Sequence, residues 1–208
     1  MAADTVRDIE VPAERLAGWI QRFGDRHGAL TWSAADDGGA RAEATDGAVA
    51  VIRLAIPTPA EPDATAMSTT ALDFDRFGLV LVRRGGFAIG RVDAGRVVAS
   101  RTGTRYVQGQ TKAGGQSQKR YARRRANQAA ALVRSAAEAV DEVLAEWSGR
   151  VVGGGDRALV RQVLDTARTD LAPRLVSRWL DVGNPRRRDL DTAVSSARAA
   201  RISLNALA

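Results

Sequence analysis

The sequence predicts an α+β fold in which a mixed β-sheet packs with helices, and three features predict it. Short β-tolerant stretches recur between Gly-rich turn dipeptides. One long segment, Ser117 to Trp147, carries apolar residues at three- and four-residue intervals. After Val151, strand-like and helix-like stretches alternate.

Taken in order, Thr5 to Val11 reads as a strand. Pro12 suits the first turn of a helix whose residues Leu16, Trp19, Ile20 and Phe23 follow helical spacing, with Gly24 or Gly28 ending it. Leu30 to Ala35, Arg41 to Thr45 and Ala48 to Ala55 are expected strands, because Asp36-Asp37-Gly38-Gly39 and Asp46-Gly47 are turn sequences. Pro57, Pro59 and Pro62 open a stretch without apolar period, so residues 57–75 are expected to be a mobile loop after an N-terminal αβ portion, 1–56. Phe77 to Arg83, Phe87 to Val92 and Arg96 to Arg101 read as strands joined by compact hairpins, the third running on towards Val107. The long helix Ser117 to Trp147 would span about 46 Å. Its second half has a core-facing stripe, whereas Lys119 to Arg125 offers only Tyr121 and alanine to bury, so the basic end is expected to project. Val151 and Val152 lead into Gly153-Gly154-Gly155-Asp156. That run lacks the ending of a phosphate-binding P-loop and reads instead as a strand-to-helix turn capped by Asp156, with the helix continuing to about Leu171. A strand, Leu175 to Val182, and a helix after Asn184-Pro185 complete the portion 76–208. Arg186, Arg187 and Arg188 stand at the positive end of that last helix, where cations are disfavoured, a placement that hints at a phosphate partner.

Composition narrows the chemistry. The 208 residues are 45% hydrophobic and 26% charged, the balance of an ordinary globular chain able to bury a sizeable core. No cysteine is present, which excludes disulfides, thiolate nucleophiles and cysteine-zinc sites. The single histidine, His27, cannot build a multi-histidine centre, and it reads as an exposed helix-end residue rather than the base of a Ser-His-Asp triad. The longest apolar run, Phe77 to Val82, is far short of a membrane span, and the N-terminus has no apolar signal core, so a cytoplasmic protein is expected.

A net charge of +7 favours a polyanionic partner, and its distribution says more than its sum. No acidic residue occurs between Asp93 and Glu138, while ten lysines and arginines fall there. Five of the seven glutamines and both lysines lie within or beside Gln108-Gly109-Gln110-Thr111-Lys112-Ala113-Gly114-Gly115-Gln116-Ser117-Gln118-Lys119-Arg120-Tyr121-Ala122-Arg123-Arg124-Arg125. Gly114 and Gly115, lacking Cβ atoms, allow positive φ and a close backbone approach to a ligand, and Ser117 can cap the following helix. A glutamine amide offers donor and acceptor but does not titrate, so Gln116 would orient a water rather than deprotonate it. Its backbone N–H, near a helix start, could also face a developing oxyanion.

The string Gly114-Gly115-Gln116-Ser117, followed by Arg120-Tyr121-Ala122-Arg123, resembles the middle domain of archaeal and eukaryotic class I translation termination factors, over about 130 residues from Phe77 onward. The resemblance implies a ribonuclease-H-like mixed sheet with a projecting Gly-Gly-Gln loop and a long basic helix. It implies hydrolysis of the ester joining peptide to tRNA, with the glutamine admitting and positioning water. At 208 residues no codon-reading or partner-binding domain is expected, and the chain is more similar to the stand-alone release-factor-like peptidyl-tRNA hydrolases of ribosome rescue, in their bacterial branch. In that branch the essential glutamine can lie just beyond the Gly-Gly pair, so Gln118 stands beside Gln116 as a candidate. Residue by residue, the resemblance implies that Gly114 and Gly115 shape the loop. Lys112, Lys119, Arg120, Arg123 and Arg124, with Arg105 as an addition, contact phosphates of tRNA and of the large-subunit ribosomal RNA. No metal or organic cofactor is implied, and 1–208 reads as one hydrolase domain of unassigned oligomeric state.

Two rival readings remain at the level of sequence. One is a non-enzymatic RNA- or ribosome-binding module in which the glycines merely hinge a basic arm. The other is a magnesium-dependent nuclease on a ribonuclease-H-like sheet that uses carboxylates such as Asp73, Asp75, Asp93 or Asp181.

Overall fold

The computed structural model describes residues 7–104 and 116–208, and for 116–122, 124 and 125 it describes the backbone alone. In chain order the elements are β1 (Arg7–Val11), α1 (Ala13–His27), β2 (Leu30–Ala34), β3 (Ala40–Ala44), β4 (Val49–Arg53), α2 (Ala64–Asp73), β5 (Phe77–Arg83) and β6 (Gly86–Asp93). There follow β7 (Arg96–Thr104), α3 (Gln116–Val143), β8 (Val151–Gly155), α4 (Arg157–Thr166), β9 (Leu175–Leu180), α5 (Arg187–Arg198) and β10 (Ala200–Leu204). The architecture is α+β as expected, and it has two sheets of five strands, with the N-terminal strands in a sheet of their own rather than in the mixed one. These belong to two compact units, one drawn from Met1–Asp75 with Ser195–Ala208, the other from Arg76–Val194.

The first unit holds an antiparallel sheet in the order β1-β10-β4-β3-β2. The hairpins expected at Asp36–Gly39 and Asp46-Gly47 connect β2 to β3 and β3 to β4. Between β1 and the central strand β4 lies β10, where Ile202 pairs with Ile9 on one side and Ile52 on the other. Nothing local announces that strand: five residues after a helix become an inner strand only because chain ends far apart in sequence meet there. Helix α1 buries Ala13, Leu16, Ile20 and Phe23. It ends at Gly28, whose φ of +99° suits glycine and whose N–H donates to the Gly24 carbonyl at 2.8 Å.

Residues 57–75 are not a loop throughout, because α2 occupies Ala64–Asp73. Its start is capped by Asp63, whose carboxylate accepts from the Ala66 N–H at 2.7 Å. The helix escaped a search for apolar period because its buried residues are Met67, Ser68 and Ala71. Ser68 is tolerated there because its hydroxyl donates back to the Ala64 carbonyl at 2.7 Å. His27 is half-buried rather than exposed: Nδ1 lies 2.8 Å from Asp46 Oδ2, and the ring tilts against Phe23 at 4.9 Å.

The second unit holds a mixed sheet in the order β7-β6-β5-β8-β9, antiparallel across β7, β6 and β5 and parallel across β5, β8 and β9. The run Phe77 to Val82 is wholly buried, as a central strand covered on both faces must be. Helices α3 and α4 cover one face, forming a core from Val80, Val82, Phe87, Ile89, Ala136, Val140, Val160 and Val163. On the other face Leu190 of α5 packs at Gly90, where a Cβ would stand 3.3 Å from its methyl. The glycine run of β8 is likewise a packing device. A Cβ on Gly153 would stand 2.9 Å from Cη2 of Trp179, and Gly155 adopts φ +87°. Asp156 caps α4 as expected, accepting from the N–H groups of Ala158 and Leu159 at 3.0 and 3.1 Å. Among the described residues no helix is long and apolar enough to cross a membrane.

Candidate functional site

Strand β7 and helix α3 flank the segment that carries the sequence motif. Gly114, Gly115, Lys112 and Arg105 lie outside the described residues. Gln116 is the first residue of α3 and Gln118 the third, followed by Lys119, Arg120, Arg123 and Arg124. Ser117, expected to cap this helix, is its second residue instead. As the first helical residue, Gln116 contributes one of the N–H groups that no earlier turn of the helix can satisfy.

The helix backbone sorts the candidates. At about 100° per residue, positions 116, 119, 120, 123 and 124 share one stripe, and 118, 121, 122 and 125 share the opposite one. Farther along, the second stripe becomes the buried side at Leu132, Ala136, Val140 and Val143. The first continues into exposed Asn127, Arg134 and Glu138. Gln116 therefore lies in line with four cationic positions on the outward side, and Gln118 lies in line with the side that becomes the core.

Where the helix stands follows from its length. Leu144, just past its end, packs over Gly78 at the start of β5, where a Cβ would be 3.1 Å from it. Gly86 pairs with both Arg83 and Thr104, so the ends of β5 and β7 share one end of the sheet. Seven residues of β5 extend about 23 Å, whereas 28 residues of α3 extend about 42 Å, so the helix outruns the sheet towards the end where β7 finishes. Burial agrees: Leu132 is the first buried residue of α3 among those described, and Arg123, Ala126, Asn127, Ala129 and Ala130 are exposed.

The packed half is anchored by polar contacts. Asp141 is nearly buried and accepts from the N–H groups of Arg168 and Thr169 at 2.9 and 3.0 Å, from the Thr169 hydroxyl at 3.1 Å and from Arg168 Nε at 3.3 Å. Burial pushes its carboxyl pKa up, but the hydrogen bonds from Thr169 and Arg168 outweigh that and hold it below the usual carboxylate value. Glu142 pairs with Arg101 of β7, tying the strand before the motif to the helix after it. Sequence reading missed the support at the end of β7, where Gly103 pairs with Phe87. Its signal was a lone glycine inside a strand pattern. Among the described residues no three His, Asp or Glu side chains gather where a metal ion could be held.

A model of the family described as the actinobacteria/chloroflexi VLRF1 release factor matches residues 75–203, more than half of the chain. The chain belongs to this release-factor family. The VLRF1 match begins where the second unit begins, takes in β7, α3 and the mixed sheet, and runs on into β10. It agrees with the bacterial branch to which the Gly-Gly-Gln-Ser string points. No curated protein matches the chain.

Proposed function

We propose that this protein hydrolyses the ester between nascent peptide and tRNA on stalled ribosomes or split large subunits, without reading a codon, and so works in the cytoplasm. The observation that carries this reading is the α3 start: Gln116 heads a helix that outruns its sheet and shares one stripe with Lys119, Arg120, Arg123 and Arg124. Membership of the VLRF1 release-factor family supports it. In this reading the second unit is the counterpart of the termination-factor middle domain.

Gly114 and Gly115 let the backbone approach the ester closely, while Lys112, Arg105 and the α3 cations hold RNA phosphates. The Gln116 amide orients a water against the ester carbonyl carbon. The water oxygen bonds to that carbon, the ester C–O bond breaks, and a water proton passes to the departing ribose oxygen, leaving a free carboxyl group on the peptide. The Gln116 N–H faces the oxygen that gains charge. Gln116 takes this role ahead of Gln118 because it lies on the cationic stripe.

The test is release of a labelled peptide from peptidyl-tRNA on purified large ribosomal subunits. Gln116→Ala is expected to slow release by about 10²-fold or more with subunit binding retained, as removal of a transition-state contact does. Loss of release on Gln118→Ala alone would transfer the role to Gln118. Binding without release by the unaltered protein would leave the RNA-binding module as the reading.

A further inference from the structure

Three connections separated by many residues converge at the end of the mixed sheet where β7 finishes. In the β5–β6 turn, Arg83 donates through Nε to the Val182 carbonyl at 2.8 Å, and the Asn184 side chain lies against Gly85. At the β8–α4 junction, the Asp156 N–H donates to the Val82 carbonyl at 2.8 Å, and the Arg157 guanidinium sits 4.4 Å over the Trp179 ring. In the β9–α5 connection stand Arg186, Arg187 and Arg188, all exposed.

The carboxylates of this end are already engaged. Asp181 pairs with Arg83 at 2.9 Å, Asp191 with Arg187 at 3.2 Å, and Asp156 caps α4. Asp189 accepts the Arg186 backbone N–H at 2.7 Å and lies 3.7 Å from Arg188. No carboxylate among the described residues pairs with the guanidinium of Arg84, Arg157 or Arg186, and all three residues are exposed. Two of the three consecutive arginines, moreover, occupy the first turn of α5, where the helix field disfavours cations. Arg157 stacks on Trp179, but no ion pair among the described residues balances the charge of Arg84, Arg157 and Arg186.

We propose that this end of the sheet is a second RNA contact, in which Arg84, Arg157 and Arg186 hold phosphate groups of an RNA strand. The inference rests on the reading that α3 works on an RNA-borne substrate. A guanidinium presents parallel donors that match a phosphate edge. An acidic protein partner fits less well, because a protein interface needs an apolar centre. The large exposed hydrophobic residues among those described are Leu72, Val98 and Leu207, none of them in these three connections.

The test compares the intact protein with Arg84→Ala/Arg157→Ala/Arg186→Ala. An equal charge change on α1, Arg15→Ala/Arg22→Ala/Arg26→Ala, serves as the control. Binding to purified large ribosomal subunits and to a fluorescein-labelled 20-base-pair RNA duplex is measured from 50 to 300 mM salt. The sheet-end variant is expected to bind at least tenfold more weakly near 150 mM salt, and to lower the slope of log K against log salt by about 2 to 3. Unchanged affinity and slope relative to the α1 control would overturn the proposal. If circular dichroism shows the triple variant unfolded, Arg84→Ala alone is read in the same way, with an expected slope change of about 0.7 to 0.9. A failure of the hydrolase reading would appear separately, as absence of peptide release by the unaltered protein whatever its RNA affinity.

Discussion

Gly103 lies beneath the ring of Phe87, so close that a Cβ at position 103 would stand 2.6 Å from Phe87 Cζ. The two residues are paired across β6 and β7, one position before β7 ends, and Phe87 belongs to the core beneath α3. Gly103→Val is expected to move the ring or the end of the strand, costing about 1–3 kcal/mol of stability. Peptide release should slow more than subunit binding weakens. In the milder Gly103→Ala background, Phe87→Leu should return part of the release rate by restoring space. Failure of that rescue, in a protein whose melting shows it folded, would mean that the pair does not support the end of β7.

Asp141 predicts a pH dependence of stability. Its pKa is lowered in the folded protein, so its contribution is fully present above the unfolded carboxylate value of about 3.9 and is lost as pH falls through the folded value. Asp141→Asn should cost about 1–3 kcal/mol at pH 7, since Thr169 and Arg168 lose a charged acceptor. Urea unfolding of both proteins between pH 2 and pH 7 should show the difference shrinking towards acid. A difference independent of pH would contradict this account.

Gly153 and Trp179 predict a steric effect. Gly153→Ala should push the indole from the Gly155 carbonyl, to which Nε1 donates at 3.0 Å, and from the Arg157 guanidinium. The expected cost is about 1–3 kcal/mol. Tryptophan emission and the melting temperature should change together, and an unchanged melting temperature would show that the ring has room to yield.

Removal of the α4 cap is simpler. Asp156→Ala should destabilise by about 1 kcal/mol and Asp156→Ser by less, because serine can still accept from the first-turn N–H groups of Ala158 and Leu159. Equal losses from both substitutions, measured by urea unfolding, would place the role of Asp156 elsewhere than in capping.

What was legible in the sequence follows the range of each interaction. Leu16, Ile20 and Phe23 disclose α1 because the helix repeat is local, and Asp46-Gly47 discloses its hairpin because a tight turn, closed by the Gly47 N–H donating to the Ala44 carbonyl, constrains its own strands. Helix α2 escaped because Met67, Ser68 and Ala71 make a buried face without an apolar period. Strand β10 escaped because its partners, β1 and β4, lie more than a hundred residues away. The candidate glutamines and cations were legible as a set because they are contiguous.

The sequence by itself determined the local elements, the cationic segment without carboxylates and the order Gly-Gly-Gln-Ser then Arg-Tyr-Ala-Arg that led to the release-factor family. Only the tertiary structure decided which unit each strand joins, and which sides of α3 Gln116 and Gln118 occupy relative to the buried side. It alone brought the connections of Arg84, Arg157 and Arg186 to one end of a sheet. The physical reason is that periodicity and capping act within a few residues, whereas strand pairing and the meeting of loops depend on contacts whose sequence separation no local pattern records.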